Sequence, residues 1–396
     1  MENVNRNSYL SVLFCFFIMG FVDIVGTATS NIKTDLSLSN TMAGALPNFI
    51  FIWFILCSIP TGIMMDKIGR KNTVLVSNVI TLVGMLAPVP VILNIIPVNL
   101  PVYLVSFVLL GIGNTILQVA LNPLLTNVMS ADKLTRGITI GQFVKALSSL
   151  LGPQIVLFSS VFLSDWNYVF VIYAVITLIS SLWLYMSFVP REKNTKVEKM
   201  SFSAVLSLLK SNKILSLFVC ILLIVGIDVG LNCFIPVIYG DVFNMEHPSG
   251  MNTFYFIARA IGALVCFMML SRISSLKILR WTMVVSVLGY LLMIALVSFN
   301  VNTLWAQILF AVMFLPVGFA TANVFSIIFS IALQYMPEKT SQISSLLIMG
   351  VAGGGATTLV MGALTDLMGL AGGMLVLLMA MIYIMYVAFK IPYNLK

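Results

Sequence analysis

Long apolar stretches separated by short polar connections dominate this chain. Most of the stretches are about 20 to 25 residues long and show no strict alternation, which predicts α-helices rather than the strands of a barrel. Lipid cannot hydrogen-bond to the backbone, and a helix satisfies its backbone groups within one segment. We expect twelve spans, at residues 8–31, 41–64, 72–96, 101–128, 137–161, 166–189, 214–240, 249–271, 277–298, 303–335, 340–364 and 370–390.

Composition supports a membrane protein. The 396 residues are 60% hydrophobic and 9% charged, whereas a soluble domain has about 25% charged residues. The fold class that we predict is therefore an all-α membrane protein with twelve transmembrane helices. The first apolar run is too long for a signal-peptide core, so we interpret it as span one.

The longest polar break divides the predicted spans into two sets of six. It gives an N-terminal six-helix bundle at 1–189, a cytoplasmic linker at 190–213 and a C-terminal six-helix bundle at 214–396. The linker contains six cations, which are Arg191, Lys193, Lys196, Lys199, Lys210 and Lys213.

The net charge of +8 has a topological explanation. With both termini on one side, Lys33 alone falls on the opposite side, and Lys145 and Arg259 lie inside spans; all others of the 21 Lys and Arg share the side of the termini. By the positive-inside rule, both termini are cytoplasmic and the protein is a multi-pass protein of the inner or plasma membrane. The basic excess therefore gives no reason to expect nucleic acid as a partner.

The two halves resemble each other in sequence. Span one contains Gly20-Phe-Val-Asp23, and span seven contains Gly226-Ile-Asp228. A parallel repeat of two six-helix halves is typical of one large class of secondary transporters.

The connection between spans two and three carries a motif. It contains Gly62, Asp66, Gly69 and Arg70 in the pattern GxxxDxxGR, followed by Lys71. The motif resembles the cytoplasmic signature of the major facilitator superfamily, in which it stabilises the outward-facing state. The resemblance implies two pseudo-symmetric six-helix halves and a gating role for these four residues.

A closer resemblance covers both halves, from about residue 20 to residue 366. It rests on Gly111-Ile-Gly-Asn-Thr-Ile-Leu-Gln118, on Gly141-Gln-Phe-Val-Lys145, on Phe256-Ile-Ala-Arg259 and on the glycines of span eleven. These segments are similar to the fucose permease branch, which carries fucose, galactose and glucose with protons. The resemblance implies uptake of a monosaccharide by proton symport and alternating access.

Polar side chains inside the spans are the candidates for the substrate site. Amides supply both donors and acceptors for sugar hydroxyls. The predicted substrate-binding residues are Gln118, Asn122, Gln142, Lys145, Asn232, Arg259 and Asn323. Any one of these amides can instead join helices.

Charged residues inside spans are costly and usually functional. The fucose permease has a glutamate at the position of Gln118, which cannot titrate, and an asparagine at that of Lys145. We predict that Asp23 is the proton-coupling residue and pairs with Lys145, with Asp228 and Arg259 as a second pair. Both pairs could alternatively serve only to hold helices together.

Other functions stay open at this point. Lys145 or Arg259 could bind the carboxylate of an anionic sugar such as a sialic or uronic acid, and efflux is a second alternative. A third alternative is a membrane enzyme or a non-transporting sensor. An enzyme is disfavoured because the single histidine, His247, lies in a connection and no nucleophile–base cluster is apparent. We therefore expect no enzyme activity, cofactor or metal, and a monomer whose partners are a sugar, a proton and the bilayer.

Overall fold

The computed structural model describes residues 6–38, 46, 48–129, 133–190, 201–245 and 251–391. The helices of the first six spans are Arg6–Met19 and Val25–Asp35 (span one), Asn48–Ile68 (span two), Arg70–Leu86 and Val89–Ile92 (span three), Leu100–Val128 (span four), Leu134–Phe162 (span five) and Tyr168–Met186 (span six). The predicted all-helical fold is confirmed, and the spans lie where the hydrophobic pattern places them.

The second set of spans begins after Phe202–Ser207 and a 3-10 turn at Leu208–Lys210. Its helices are Asn212–Asp241 (span seven), Met251–Met269 (span eight), Ser275–Ser298 (span nine), Leu304–Val312 and Phe314–Tyr335 (span ten), Thr340–Met349 and the first part of Gly353–Lys390 (span eleven), and the rest of Gly353–Lys390 (span twelve). The linker residues 191–200 and His247 lie outside the described residues.

The described residues contain eleven helical segments that are long and apolar enough to cross a membrane. The last of these, Pro337–Lys390, contains predicted spans eleven and twelve together. Gly369 interrupts it with a φ of 72° and a ψ of −177°. Because only glycine adopts this conformation readily, Gly369 marks the break that the sequence predicts between residues 364 and 370.

The chain forms two compact units. Unit one contains Met1–Leu134, Val144–Ser207 and Met336–Met349; unit two contains Thr135–Phe143, Leu208–Tyr335 and Gly350–Lys396. The first part of span five thus belongs to unit two, and the first part of span eleven belongs to unit one. The division into halves at 189 and 214 stays a prediction.

Helix packing within the units repeats after six spans. Span four packs against spans two and three, and span ten packs against spans eight and nine. Glycines allow these contacts. A Cβ built on Gly111 would lie 2.9 Å from the Ile50 backbone in span two, and one built on Gly262 would lie 2.6 Å from the Phe319 backbone in span ten.

Basic side chains cap helix ends in the same repeating manner. The Lys71 ammonium donates to the carbonyl oxygens of Tyr185 (3.0 Å) and Ser187 (2.8 Å) at the end of span six. The Arg280 guanidinium donates to those of Ala388 (2.9 Å) and Ile391 (2.6 Å) at the end of span twelve. A cation at a helix C-terminus satisfies unpaired carbonyls and complements the helix dipole.

Candidate functional site

Span one is not a continuous α-helix. A 3-10 turn, Gly20–Ile24, separates Arg6–Met19 from Val25–Asp35, and Asp23 lies within this turn. Gly20 brings the turn against span five: a Cβ on Gly20 would lie 2.6 Å from the Ser148 Cβ and 2.7 Å from the Lys145 carbonyl oxygen. The break therefore places the carboxylate of a half-buried acid beside span five. Interrupted helices are a common way to build a site inside a transporter.

The Asp23 carboxylate contacts a hydroxyl rather than the predicted lysine. Ser149 Oγ lies 2.5 Å from Asp23 Oδ2 and 3.0 Å from the Lys145 carbonyl oxygen. The Asp23–Lys145 ion pair predicted from the sequence is wrong for this structure, because no such pair forms among the described residues. The Lys145 ammonium, on a half-buried residue, has no hydrogen-bond or ionic partner in the part of the chain that the structure describes.

Two predicted substrate-binding amides lie on span four of unit one. Gln118 Nε2 donates to Asn114 Oδ1 at 2.7 Å, and Asn114 Nδ2 donates to the Met19 carbonyl oxygen at 2.9 Å, where the first helix of span one ends. Asn122 is buried, and its Oδ1 accepts no hydrogen bond within the described residues. The break in span one is thus tied to Gln118 through one intermediate amide.

Asp228 in unit two contacts two side chains of span eight. Its Oδ2 lies 3.0 Å from Arg259 Nη1, and its Oδ1 accepts from Tyr255 Oη at 2.8 Å. Tyr255 Oη also lies 2.9 Å from Thr321 Oγ1. Arg259 is buried, with 8% of its surface exposed. The predicted Asp228–Arg259 pair is therefore present.

The other predicted amides of unit two differ in how they are used. Asn323 Nδ2 donates to the carbonyl oxygens of Gly262 (3.1 Å) and Phe319 (2.6 Å), so this amide connects spans ten and eight. Asn232 Nδ2 donates to the Asp228 carbonyl oxygen at 3.0 Å. Gln142 is half-buried in span five, and its Nε2 has no partner among the described residues. Their substrate-binding roles stay predictions.

The predicted gating residues surround the start of span three. Gly69 precedes the helix with a φ of 86° and a ψ of 160°, which requires glycine. Arg70 Nη1 approaches the end of span four, at the Pro123 carbonyl oxygen (3.1 Å), Thr126 Oγ1 (2.5 Å) and Asn127 Oδ1 (2.7 Å). Gly62 is buried in span two, whereas Asp66 is exposed.

Sequence reasoning missed several residues of these sites. Ser149 lies four residues after Lys145, and Tyr255 lies four residues before Arg259. Residues four apart share one face of a helix, so helical spacing from each cation inside a span would have found both hydroxyls. Asn114 lies four residues before Gln118 and could have been found in the same way, whereas Thr321 has no such signal.

Comparisons with known proteins agree with this architecture. The model of the family described as Major Facilitator Superfamily matches residues 10–358. A glucose/galactose transporter of Brucella abortus is 22% identical over 394 residues, covering 96% of this chain and 92% of the relative. The predicted resemblance to a sugar-transporting branch is confirmed.

Solved structures show the same fold. The crystal structure of the fucose:proton symporter of E. coli matches with a TM-score of 0.80 at 17% identity, covering 98% of each chain. A proton:xylose symporter bound to 6-bromo-6-deoxy-D-glucose matches with a TM-score of 0.76 at 12% identity, covering 97% of this chain and 95% of the other. The chain is a multi-pass membrane transporter, and it belongs to the Major Facilitator Superfamily.

Proposed function

We propose that this transporter takes up a monosaccharide together with a proton by alternating access, in which the substrate site opens to one side of the membrane at a time. The relatives support the substrate class, since the curated one is named for glucose and galactose and the solved ones for fucose and xylose. The buried amides of span four support it through their capacity for sugar hydroxyls.

The observation that carries proton coupling is the position of Ser149 between Asp23 and a backbone carbonyl. When Asp23 is ionised, the Ser149 hydroxyl donates to Asp23 Oδ2, 2.5 Å away. When Asp23 carries a proton, its O–H donates to Ser149 Oγ, and the serine proton turns to the Lys145 carbonyl oxygen, 3.0 Å away. Both protonation states therefore keep their hydrogen bonds without movement of heavy atoms.

Lys145 distinguishes Asp23 from an isolated carboxylate. Its backbone joins the Asp23 chain, and its ammonium lacks a described partner. A cation inside the bilayer region is costly unless it meets an electronegative group. We infer that sugar oxygens supply that group when substrate binds, while Gln118 contributes amide hydrogen bonds.

The driving force comes from gradients across the membrane. The membrane potential supplies about 2.3 kcal/mol per charge per 100 mV, so one proton moving inward with a sugar favours accumulation. We propose that the protein works as a monomer in the inner or plasma membrane. The distribution of Lys and Arg supports an orientation with both termini in the cytoplasm. Arg70 and its neighbours then lie on the cytoplasmic side.

Purified protein in liposomes tests this function. Labelled D-glucose, D-galactose and L-fucose are offered with an imposed pH gradient, with a sodium gradient, or with neither. Accumulation of at least one sugar under the pH gradient is expected. Accumulation that requires sodium and ignores the pH gradient would contradict proton coupling.

An anionic sugar is the second candidate, and the observation that favours it is the Lys145 ammonium, which has no partner among the described residues. Competition distinguishes the two substrates. Unlabelled D-glucuronate that suppresses uptake more strongly than unlabelled D-glucose, in wild type but not in Lys145→Gln, identifies a carboxylate ligand. Stronger suppression by D-glucose supports the neutral sugar.

A further inference from the structure

A second carboxylate, Asp228, stands at the end of a longer hydrogen-bond chain. Tyr255 Oη lies 2.8 Å from Asp228 Oδ1 and 2.9 Å from Thr321 Oγ1. Thr321 Oγ1 in turn lies 3.2 Å from the Gly318 carbonyl oxygen. This hydrogen-bond chain runs from span seven through span eight to the backbone of span ten, and all of its residues belong to unit two.

The hydroxyl groups of Tyr255 and Thr321 supply two protons for the three oxygen–oxygen contacts of this hydrogen-bond chain. A tyrosine or threonine hydroxyl donates one hydrogen bond and accepts others. With Asp228 ionised, Tyr255 donates to Asp228, and Thr321 is free to donate to Tyr255 Oη. With a proton on Asp228, the carboxyl donates to Tyr255, Tyr255 donates to Thr321, and Thr321 donates to the Gly318 carbonyl oxygen. The added proton satisfies the third contact, so the protonated form makes all three hydrogen bonds.

We propose that Asp228 is a second proton-binding carboxylate of this transporter, stabilised in its protonated form by Tyr255 and Thr321. The proposal rests on the proposed function, since it assigns a further residue to proton coupling. The proton enters from water and adds to Oδ1, and no other bond is made or broken. Thr321 is a positioning residue, because it acts on Asp228 only through Tyr255.

Arg259 opposes protonation of Asp228, because its positive charge stabilises the ionised carboxylate. Its Nη1 lies 3.0 Å from Oδ2, the oxygen that Tyr255 does not contact. A proton on Asp228 cancels the negative charge beside Arg259, so the pair gains one net positive charge. Electronegative atoms of a bound substrate then interact more strongly with the guanidinium. By linkage, protonation of Asp228 and binding of substrate at Arg259 favour each other to the same extent.

Few other ionisable groups approach Asp228. At neighbouring turns of span seven, span eleven presents Thr357 to Gly226 and Met361 to Gly230. Among the described residues, Tyr255 and Arg259 are the titratable or charged side chains with a recorded contact to Asp228. Five other charged residues on span seven or on elements packed against it are exposed, namely Lys210, Lys213, Asp241, Asp366 and Lys390.

Infrared difference spectroscopy of the full-length protein in liposomes tests this proposal without any sugar. Spectra at about pH 5 are compared with spectra at about pH 8, because folded proteins are usually most stable within this range. The C=O stretching band of a protonated carboxyl is assigned to Asp228 by its loss in Asp228→Asn. Arg259→Gln removes the competing cation, so a larger band is expected at a given pH. The double variant D228N/R259Q should lack that band.

Thr321→Val and Thr321→Ser form the matched pair. Valine removes the acceptor that only the protonated form requires, so we expect the Asp228 band to fall by about twofold to tenfold, the weight of one neutral hydrogen bond. Serine keeps the hydroxyl and should retain the wild-type band. Size-exclusion profiles identify misfolded variants. If Arg259→Gln does not fold, the Asp228 bands of Thr321→Val and Thr321→Ser, each made in the wild-type protein, test the proposal.

Two results would overturn the proposal. One is the absence of an Asp228-dependent band in both wild type and Arg259→Gln. The other is an equal band in Thr321→Val and Thr321→Ser. Neither result depends on transport, so failure of the proposed function would instead appear as absent sugar uptake in a protein with an intact Asp228 band.

Discussion

Asp23 and Asp228 occupy related places in the repeat but have different partners. Each lies two or three residues after a glycine that brings its span close to another, and each is joined through hydroxyls to a backbone carbonyl. Arg259 contacts Asp228 at 3.0 Å, whereas Asp23 accepts from Ser149 and makes no described contact with Lys145. The repeat therefore preserves the acid and its hydroxyl chain, and it varies the cation.

This difference separates two tasks. A carboxylate without a cationic partner is available to take up a proton, so we assign the primary coupling role to Asp23. A carboxylate held by a buried guanidinium exchanges a proton only against that cation, so Asp228 links protonation to the charge at Arg259. Paired variants of the two units test whether Asp23 and Asp228 have these separate roles.

The largest difference is expected on removing the two cations. Arg259→Gln leaves the half-buried Asp228 without its charged partner; breaking a fully buried pair typically costs about 3 to 5 kcal/mol of unfolding free energy, and the partial exposure of Asp228 places the expected loss at the lower end of that range. Lys145→Gln removes an ammonium without a described partner, so no ion pair is broken and the protein should not be destabilised. Denaturant unfolding in mild detergent measures both.

A double variant checks the assignment. In D228N/R259Q the unpaired charge is gone, so most of the stability lost in Arg259→Gln should return. An equal loss in Lys145→Gln and Arg259→Gln would show that the two cations are held alike.

Packing around the two acids should respond equally. A Cβ on Gly20 would lie 2.6 Å from the Ser148 Cβ, and one on Gly226 would lie 2.7 Å from the Thr357 Cβ. Alanine at either position should cost about 1 to 3 kcal/mol, the usual cost of overpacking. Gly362→Ala is the control, because nothing lies within 4 Å of its Cβ position.

Thermal unfolding of these three alanine variants shows whether the two units differ in packing around the acids or only in charge. Similar losses for Gly20→Ala and Gly226→Ala confine the difference to charge. A marked loss in only one of them would mean that packing differs as well.

The smallest effect is expected from neighbouring serines of span five. Ser149→Ala removes the hydroxyl that serves Asp23, and the initial rate of pH-driven uptake should fall by roughly twofold to tenfold, the weight of one hydrogen bond. Ser148→Ala removes a buried hydroxyl that has no partner among the described residues, so uptake should be unchanged. Equal losses in both variants would exclude the Ser149 chain from coupling.

Most of the fold was accessible from the sequence because span length and hydrophobicity follow from the bilayer itself. The break near Gly369 and the positive φ of Gly69 also agree with the pattern of glycines. The break in span one was not predicted. The run from Tyr9 to Val25 contains no proline, and its Gly20 and Asp23 do not by themselves specify a break, because the 3-10 turn depends on contacts with spans four and five.

For the site, the sequence predicted which helix faces carry the charged residues, but it did not predict all of their contacts. Helical position placed Asp228 opposite Arg259 correctly, because both side chains point into unit two. It failed for Asp23 and Lys145, because a long lysine side chain has many rotamers and a nearby serine hydroxyl satisfies the carboxylate first. Helical spacing from Lys145 marks Ser149 in the sequence, whereas no pattern in the sequence marks Thr321.

The variant Asp23→Asn in liposomes tests whether Asp23 couples sugar transport to protons. Sugar accumulation under an imposed pH gradient is measured beside exchange of labelled for unlabelled sugar without a gradient. We expect the variant to retain exchange and to lose accumulation, because asparagine keeps the hydrogen bond but cannot take up the proton. Full gradient-driven accumulation by Asp23→Asn would contradict it.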